Sequence, residues 1–215
     1  MRAALLPACL VAFCSVAMAR ASAEPVGAAV AVERDVTHSG LGETSRLAPG
    51  DSVIQDEFVT TRTASSAKLQ FLDETQLFVG PASRVKLDRF VYNPDKTAAT
   101  LTLNLMRGGF RFVTGKSPHQ SYILTTPEAI IGLRGTTVGV FVSPGKTLVK
   151  LKQGGATVCM RKKGAPRCSE MEAVETTVEV TAKSISEAGL RRSRGQDFSI
   201  WCSTRQASCG LPTSK

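Results

Sequence analysis

Two histidines, His38 and His119, are the natural candidates for a general base in this 215-residue sequence. A Ser-His-acid relay would need one of them beside an exposed serine and a carboxylate. No G-x-S-x-G element supplies that context. Both histidines sit in polar, turn-like stretches and read as solvated loop residues. Adjacent carboxylates occur at Asp56-Glu57 and Asp73-Glu74. Glycoside hydrolysis needs two carboxyls facing each other across a cleft, and neighbours on one solvated turn do not provide that. In "AIIGLRGTT" (129–137), Gly132 and Gly135 enclose Leu133 and Arg134. Such a Gly-x-x-Gly loop could clamp a nucleic-acid backbone. Pro127 upstream biases Thr126 away from helix, and Val138, Val140 and Val142 alternate downstream, so the glycines read instead as turn points between strands. Arg134 then becomes an exposed residue with a carboxylate or carbonyl partner. "RGGFRF" could stack bases, but Phe110 and Phe112 share one face as a core requires, with Arg111 on the other.

Cysteine gives the next signal. Cys9 and Cys14 fall in an apolar amino-terminal run, 3–18, preceded by Arg2 and followed by the small-x-small "ASA" at 21–23. This reads as a secretory signal peptide removed after Ala23. Cys159, Cys168, Cys202 and Cys209 remain, and an even count in an exported chain points to disulfides. Of the three possible connectivities, Cys159–Cys168 with Cys202–Cys209 joins cysteines close in sequence. A zinc site would want a C-x-x-C knuckle and a nearby His, and has neither. No catalytic residue, metal site or cofactor is expected. Trp201, beside Cys202, is expected to pack on the second disulfide.

The net charge is +9. The first 23 residues hold two of the 27 basic residues and none of the 18 acidic ones, which leaves +7. Such a charge favours anionic neighbours. Lys150, Lys152, Arg161, Lys162, Lys163 and Arg167 cluster as a possible basic patch, and Arg191, Arg192 and Arg194 follow in the tail.

The elements that must position these residues are strands. "TLTLNL", "SRVKLD", "TVGVFV", "TLVKLK" and "VETTVEV" alternate with period two. Turn signals separate them, among them "APGD", "DET", "GPAS", "YNPDK", "RGG", "TGKSP", "SPGK" and "QGG". Many short strands at this spacing make an all-β domain. A β-solenoid-like winding and a β-sandwich both fit. One helix is expected near 182–192, weakened by Gly189.

In order, the segments 46–94, 101–115, 126–142 and 145–158 resemble the FecR domain family. The resemblance rests on "RLAPGD" with Gly50 and Asp51, "FLDET" with Asp73, and "GPAS" with Gly80 and Pro81. It continues through "RGGFRF" with Phe110, Arg111 and Phe112, and "TPEAIIGLRGTT" with Thr126, Pro127, Gly132, Arg134, Gly135 and Thr136. The family's Asp-Gly-Thr turn reads Asp73-Glu74-Thr75 here, so Glu74 must hold a left-handed conformation or the turn is rebuilt. The family's Asn in Gly-Pro-Asn-Ser is Ala82. The iron-citrate regulators of this family add a sigma-factor-binding segment, a transmembrane helix and a receptor-contacting domain. No internal apolar span is seen here, so the resemblance is to stand-alone exported FecR-domain proteins.

The expected organisation is a signal peptide at 1–23, a FecR-like β-domain at 24–181 with its core match at 46–158, and a C-terminal tail at 182–215. The expected function is a non-catalytic binding, sensing or scaffolding module, periplasmic or extracellular. Its partner would be an envelope protein or an anionic cell-wall polymer, with no nucleic acid and no transmembrane segment in the mature chain. Two alternatives are a periplasmic component related to iron-citrate signalling and a carbohydrate- or peptidoglycan-binding protein.

Overall fold

A computed structural model of the chain describes residues 24–40, 42–161 and 167–188. Residues 1–23, expected to be a signal peptide, and Lys162, Lys163, Trp201, Cys202, Cys209 and the tail arginines lie outside the described residues. The strands are β1 (Pro25–Glu33), β2 (Val36–Gly40), β3 (Glu43–Arg46), β4 (Ser52–Ile54), β5 (Phe58–Thr61), β6 (Ser66–Phe71), β7 (Gln76–Val79) and β8 (Arg84–Tyr92). They continue with β9 (Ala98–Val113), β10 (Tyr122–Thr125), β11 (Ala129–Ser143), β12 (Lys146–Met160), β13 (Cys168–Met171), β14 (Thr177–Thr181) and β15 (Ile185–Glu187). A 3₁₀ turn at His119–Ser121 precedes β10. Among the described residues, no helix is long and apolar enough to cross a membrane. The expected helix near 182–192 is not formed over its described part: β15 pairs with β14 and carries the sheet past residue 181.

All the strands belong to one open sheet, antiparallel throughout apart from β9 with β10. Three strands, β9, β11 and β12, are 15 or 16 residues long, and each changes partners midway. Their first-layer halves join β3, β2, β5, β8, β10 and β13. Their second-layer halves join β4, β1, β6, β7, β14 and β15. The layers face each other. Phe71 on β6 meets Phe90 on β8 at 5.0 Å, and Phe112 on β9 meets Tyr122 on β10 edge-on at 5.8 Å. One hydrophobic cluster fills the space between them. The arrangement is sandwich-like, with three strands running through both sheets.

A parity switch in the sequence explains the bends. In β9 the buried positions are Leu101, Leu103 and Leu105, then Phe110 and Phe112. In β11 they are Ala129, Ile131 and Leu133, then Val138, Val140 and Val142. In β12 they are Val149 and Leu151, then Ala156, Val158 and Met160. Period two can keep an inward face across such a switch only if an extra residue is inserted, which is a β-bulge. Each switch holds a glycine with positive φ: Gly108 at 95°, Gly135 at 58° and Gly154 at 77°. The "RGG", "GLRG" and "QGG" signals therefore mark bends inside strands, not turns between them. They were expected as turns because a glycine reports left-handed backbone without saying whether ladder pairing resumes beyond it.

Candidate functional site

The motif residues converge on buried polar junctions. Asp73 is fully buried after β6. Its Oδ2 accepts hydrogen bonds from the hydroxyls of Thr75 (2.8 Å), Ser117 (2.7 Å) and Tyr122 (2.8 Å), and Oδ1 accepts from the Thr75 N–H at 3.1 Å. The cluster ties the β6–β7 turn of one layer to the β9–β10 connection of the other. Glu74 holds the left-handed turn position at φ 69°, and Ala82 does the same at 51°. At the second junction, the Thr61 hydroxyl donates to the Gly80 carbonyl and accepts from the Ser83 N–H at 3.0 Å. The Ser83 hydroxyl donates to the Pro81 carbonyl at 3.1 Å and accepts from the Gly109 N–H at 3.0 Å. At the third, the Thr136 hydroxyl donates to the Gly155 carbonyl at 2.6 Å, and the Thr136 N–H donates to Thr114 Oγ1 at 2.9 Å. The buried Thr126 hydroxyl accepts from the Ala129 N–H at 2.8 Å around Pro127 and meets the Thr147 hydroxyl at 2.9 Å. Gly50 and Asp51 shape the loop into β4, where Asp51 Oδ2 accepts from the Ala48 N–H at 2.7 Å. These polar atoms hold backbone in place, and of their residues Thr61 also borders the smaller of the clefts described below.

Thr61, Thr75, Ser117, Tyr122 and Thr147 complete these junctions and were not singled out from sequence. Their signal is faint: hydroxyl residues in strands and turns are common, and only the partner 20 to 50 residues away shows which are buried. Burial pushes the Tyr92 and Tyr122 phenols up, and the Asp73 charge pushes both further.

The other expected positions are dispersed. Phe110 and Phe112 are core residues, and Arg111 crosses the outer face to lie 4.7 Å over the Phe78 ring. Burial lowers the Arg111 guanidinium from its ordinary value. Gly132 lies within β11 with open space where a Cβ would be. Arg134 Nη2 bonds Glu170 Oε2 at 2.9 Å on the surface. Lys150 and Lys152 both bind Glu175 at 2.8 Å, and those bonds hold the Glu175 carboxyl below its ordinary range. Arg161 donates to the Thr126 carbonyl at 3.1 Å at the other end of β12, and Arg167 is exposed there. Cys159 and Cys168 are disulfide-bonded across the β12–β13 pair.

His38 is not a loop residue: it lies in β2. Its Nε2 meets the Ser45 hydroxyl at 2.9 Å and its Nδ1 meets Glu57 Oε1 at 3.1 Å. Glu57 and Asp73 are both buried, so neither acidic pair is a wholly solvated turn. Glu57 Oε2 also accepts from the Ile54 N–H at 3.0 Å. The connectivity is that of a nucleophile, base and orienting acid. Among the clefts on the described surface are the following two. One, of about 670 Å³, lies at the rim between the layers beside Val26, Gln55, Phe90, Tyr92 and Lys96. The other, of about 380 Å³, lies on the outer face of the first layer beside Thr37, Thr60, Arg62, Thr63 and Arg107. Neither is lined by Ser45, His38 or Glu57. Among the described residues no group of three or more His, Cys, Asp and Glu is placed to hold a metal ion.

Residues 57–157 match the family model described as FecR protein. No curated protein matches the chain. Two solved structures of a proposed anti-sigma factor from Parabacteroides distasonis are similar over 61% of this chain, at 12% and 13% identity and a TM-score of 0.47 each. The match spans 58% of the length of those structures. The residues from Glu57 to Thr157, which carry the Asp73, Thr61 and Thr136 junctions, are thus the part of the chain that matches a FecR domain.

Proposed function

We propose that this chain is an exported, non-catalytic module that binds or senses a component of the cell envelope through the surface of its β-sandwich. One observation carries the reading: the carboxylate and hydroxyl side chains of the family motif are spent on structural junctions, with Asp73 fully buried under three hydroxyl donors. A chain that uses its signature residues to hold a scaffold works through what the scaffold displays. The amino-terminal signal and the disulfide support export. We place the functional unit at 24–181 together with β15, followed by a tail.

Capture with the tagged mature chain from envelope extracts, beside sedimentation with purified peptidoglycan, tests the reading. Enrichment of a defined envelope component is the expected result. A full-length product found in the cytosol would remove the export reading. The Ser45–His38–Glu57 chain makes the non-catalytic part testable. A fluorophosphonate probe is expected to leave Ser45 unlabelled, because neither cleft presents a bound acyl group to it. Labelling of the wild type that is lost in Ser45→Ala would establish a nucleophile instead.

A further inference from the structure

The strand register assembles a row that the sequence scatters between positions 37 and 107. Arg46 on β3 lies opposite Thr37 on β2, Thr37 opposite Thr60 on β5, Thr60 opposite Arg84 on β8, and Arg84 opposite Arg107 on β9. Adjacent strands are about 4.8 Å apart, so the row spans roughly 19 Å. It faces outward, because the neighbouring positions Val36, Thr61 and Val85 are buried. Thr37, Thr60 and Arg107 of this row line the cleft of about 380 Å³, and Thr61, Arg62 and Thr63 add to its wall.

The row contains no acid. Arg84 and Arg107 are like charges directly opposite one another, an arrangement that destabilises a sheet. Among the described residues neither has an ion-pair partner. Arg84 is held in place by the Phe58 ring, 4.4 Å from its guanidinium carbon, and its Nε is buried without a hydrogen bond. Arg62 is paired with Asp35 at 3.2 Å, and Arg46 donates to the Arg34 carbonyl at 3.1 Å. The contrast with Lys150 and Lys152, which share the Glu175 carboxylate as an ion-pair partner, is direct. Two uncompensated guanidinium forks beside threonine hydroxyls are a donor set for an oxyanion. A phosphate has acceptor oxygens for two forks and a hydroxyl at once, which a carboxylate has not. Arg46, three strands away, can reach a second anionic group on the same polymer.

We infer that this outer-face row, centred on Arg84 and Arg107, binds the phosphate groups of a phosphate-bearing envelope polymer. The inference rests on the envelope reading above and names the chemistry and the surface it would use.

The test is equilibrium binding of the mature chain to long-chain inorganic polyphosphate and to polyglutamate at low ionic strength. Polyphosphate should bind more tightly. The double variant Arg84→Ala/Arg107→Ala should weaken it about tenfold or more. The double variant Lys150→Ala/Lys152→Ala removes the same formal charge and should change affinity less than about twofold, because those lysines are already paired. Arg107→Lys keeps the charge, loses the fork and should fall between wild type and the double Arg variant. It also serves if the double Arg variant does not fold. Equal loss in the Lys and Arg pairs, equal affinity for polyglutamate, or no binding by wild type would each overturn the inference. Envelope capture without polyphosphate binding would sink this row alone. Cytosolic retention would remove the envelope reading and leave the binding measurement standing.

Discussion

At the scale of single residues, burial sets the importance of a side chain more than its motif membership does. Asp73 and Arg134 both belong to the family signature. Asp73→Ala would strand three buried hydroxyls and one N–H, so the loss should be about 3 kcal/mol or more in a denaturant titration. Arg134 and Glu170 are both about half exposed, at 47% and 54%, and their ion pair is screened by water. Arg134→Ala should cost less than about 1 kcal/mol by the same measurement. The sequence has two tyrosines, Tyr92 and Tyr122, and burial raises both. The folded chain thus favours the neutral phenol. Its stabilising contribution is intact below about pH 10 and is lost as pH rises above it. Absorbance at the phenolate band should stay flat through the ordinary tyrosine range and rise only with unfolding.

At the scale of the element, the long strands depend on where glycine can bend them. A Cβ on Gly108 would sit 2.0 Å from the Ser83 hydroxyl at a φ of 95°, and one on Gly154 would sit 2.0 Å from the Gly135 carbonyl oxygen at a φ of 77°. The β11 and β12 bends nest against each other at that second contact. Gly108→Ala or Gly154→Ala should each cost about 3 kcal/mol or more, or prevent folding. Gly132→Ala should stay within about 1 kcal/mol of wild type, because the strand there is extended and the space is open. Thermal melts of the three variants separate a bend glycine from a strand glycine within one motif.

At the scale of the whole molecule, two β-layers share a core, and the late hairpin closes one edge. The Cys159–Cys168 disulfide joins residues nine apart at the β12–β13 pair. Chain entropy for so short a loop is worth about 2.5 kcal/mol. Reduction should lower the denaturation midpoint by a corresponding amount without changing the far-ultraviolet β signature. Cys159→Ser/Cys168→Ser should reproduce that midpoint and make it insensitive to reductant. The cationic row on the first layer belongs to this scale too, since five strands must be in register before Arg46, Arg84 and Arg107 share a face.

The amino-acid sequence by itself determined that the chain is all-β, which residues face inward, and which segments carry the FecR signature. Each of these is a local property, readable as alternation and as short motifs with ordered spacing. It also carried the parity switches at Gly108, Gly135 and Gly154, although a glycine alone does not distinguish a bend from a turn. Only the tertiary structure decided that two layers form instead of a coil. It also decided that Asp73 meets Ser117 and Tyr122, that His38 sits between Ser45 and Glu57, and that Lys150 and Lys152 gain an ion-pair partner in Glu175 while, among the described residues, Arg84 and Arg107 gain none. The reason is strand register. Period two states which way each side chain points, but which residue lies beside it is settled by pairing between segments far apart in the chain.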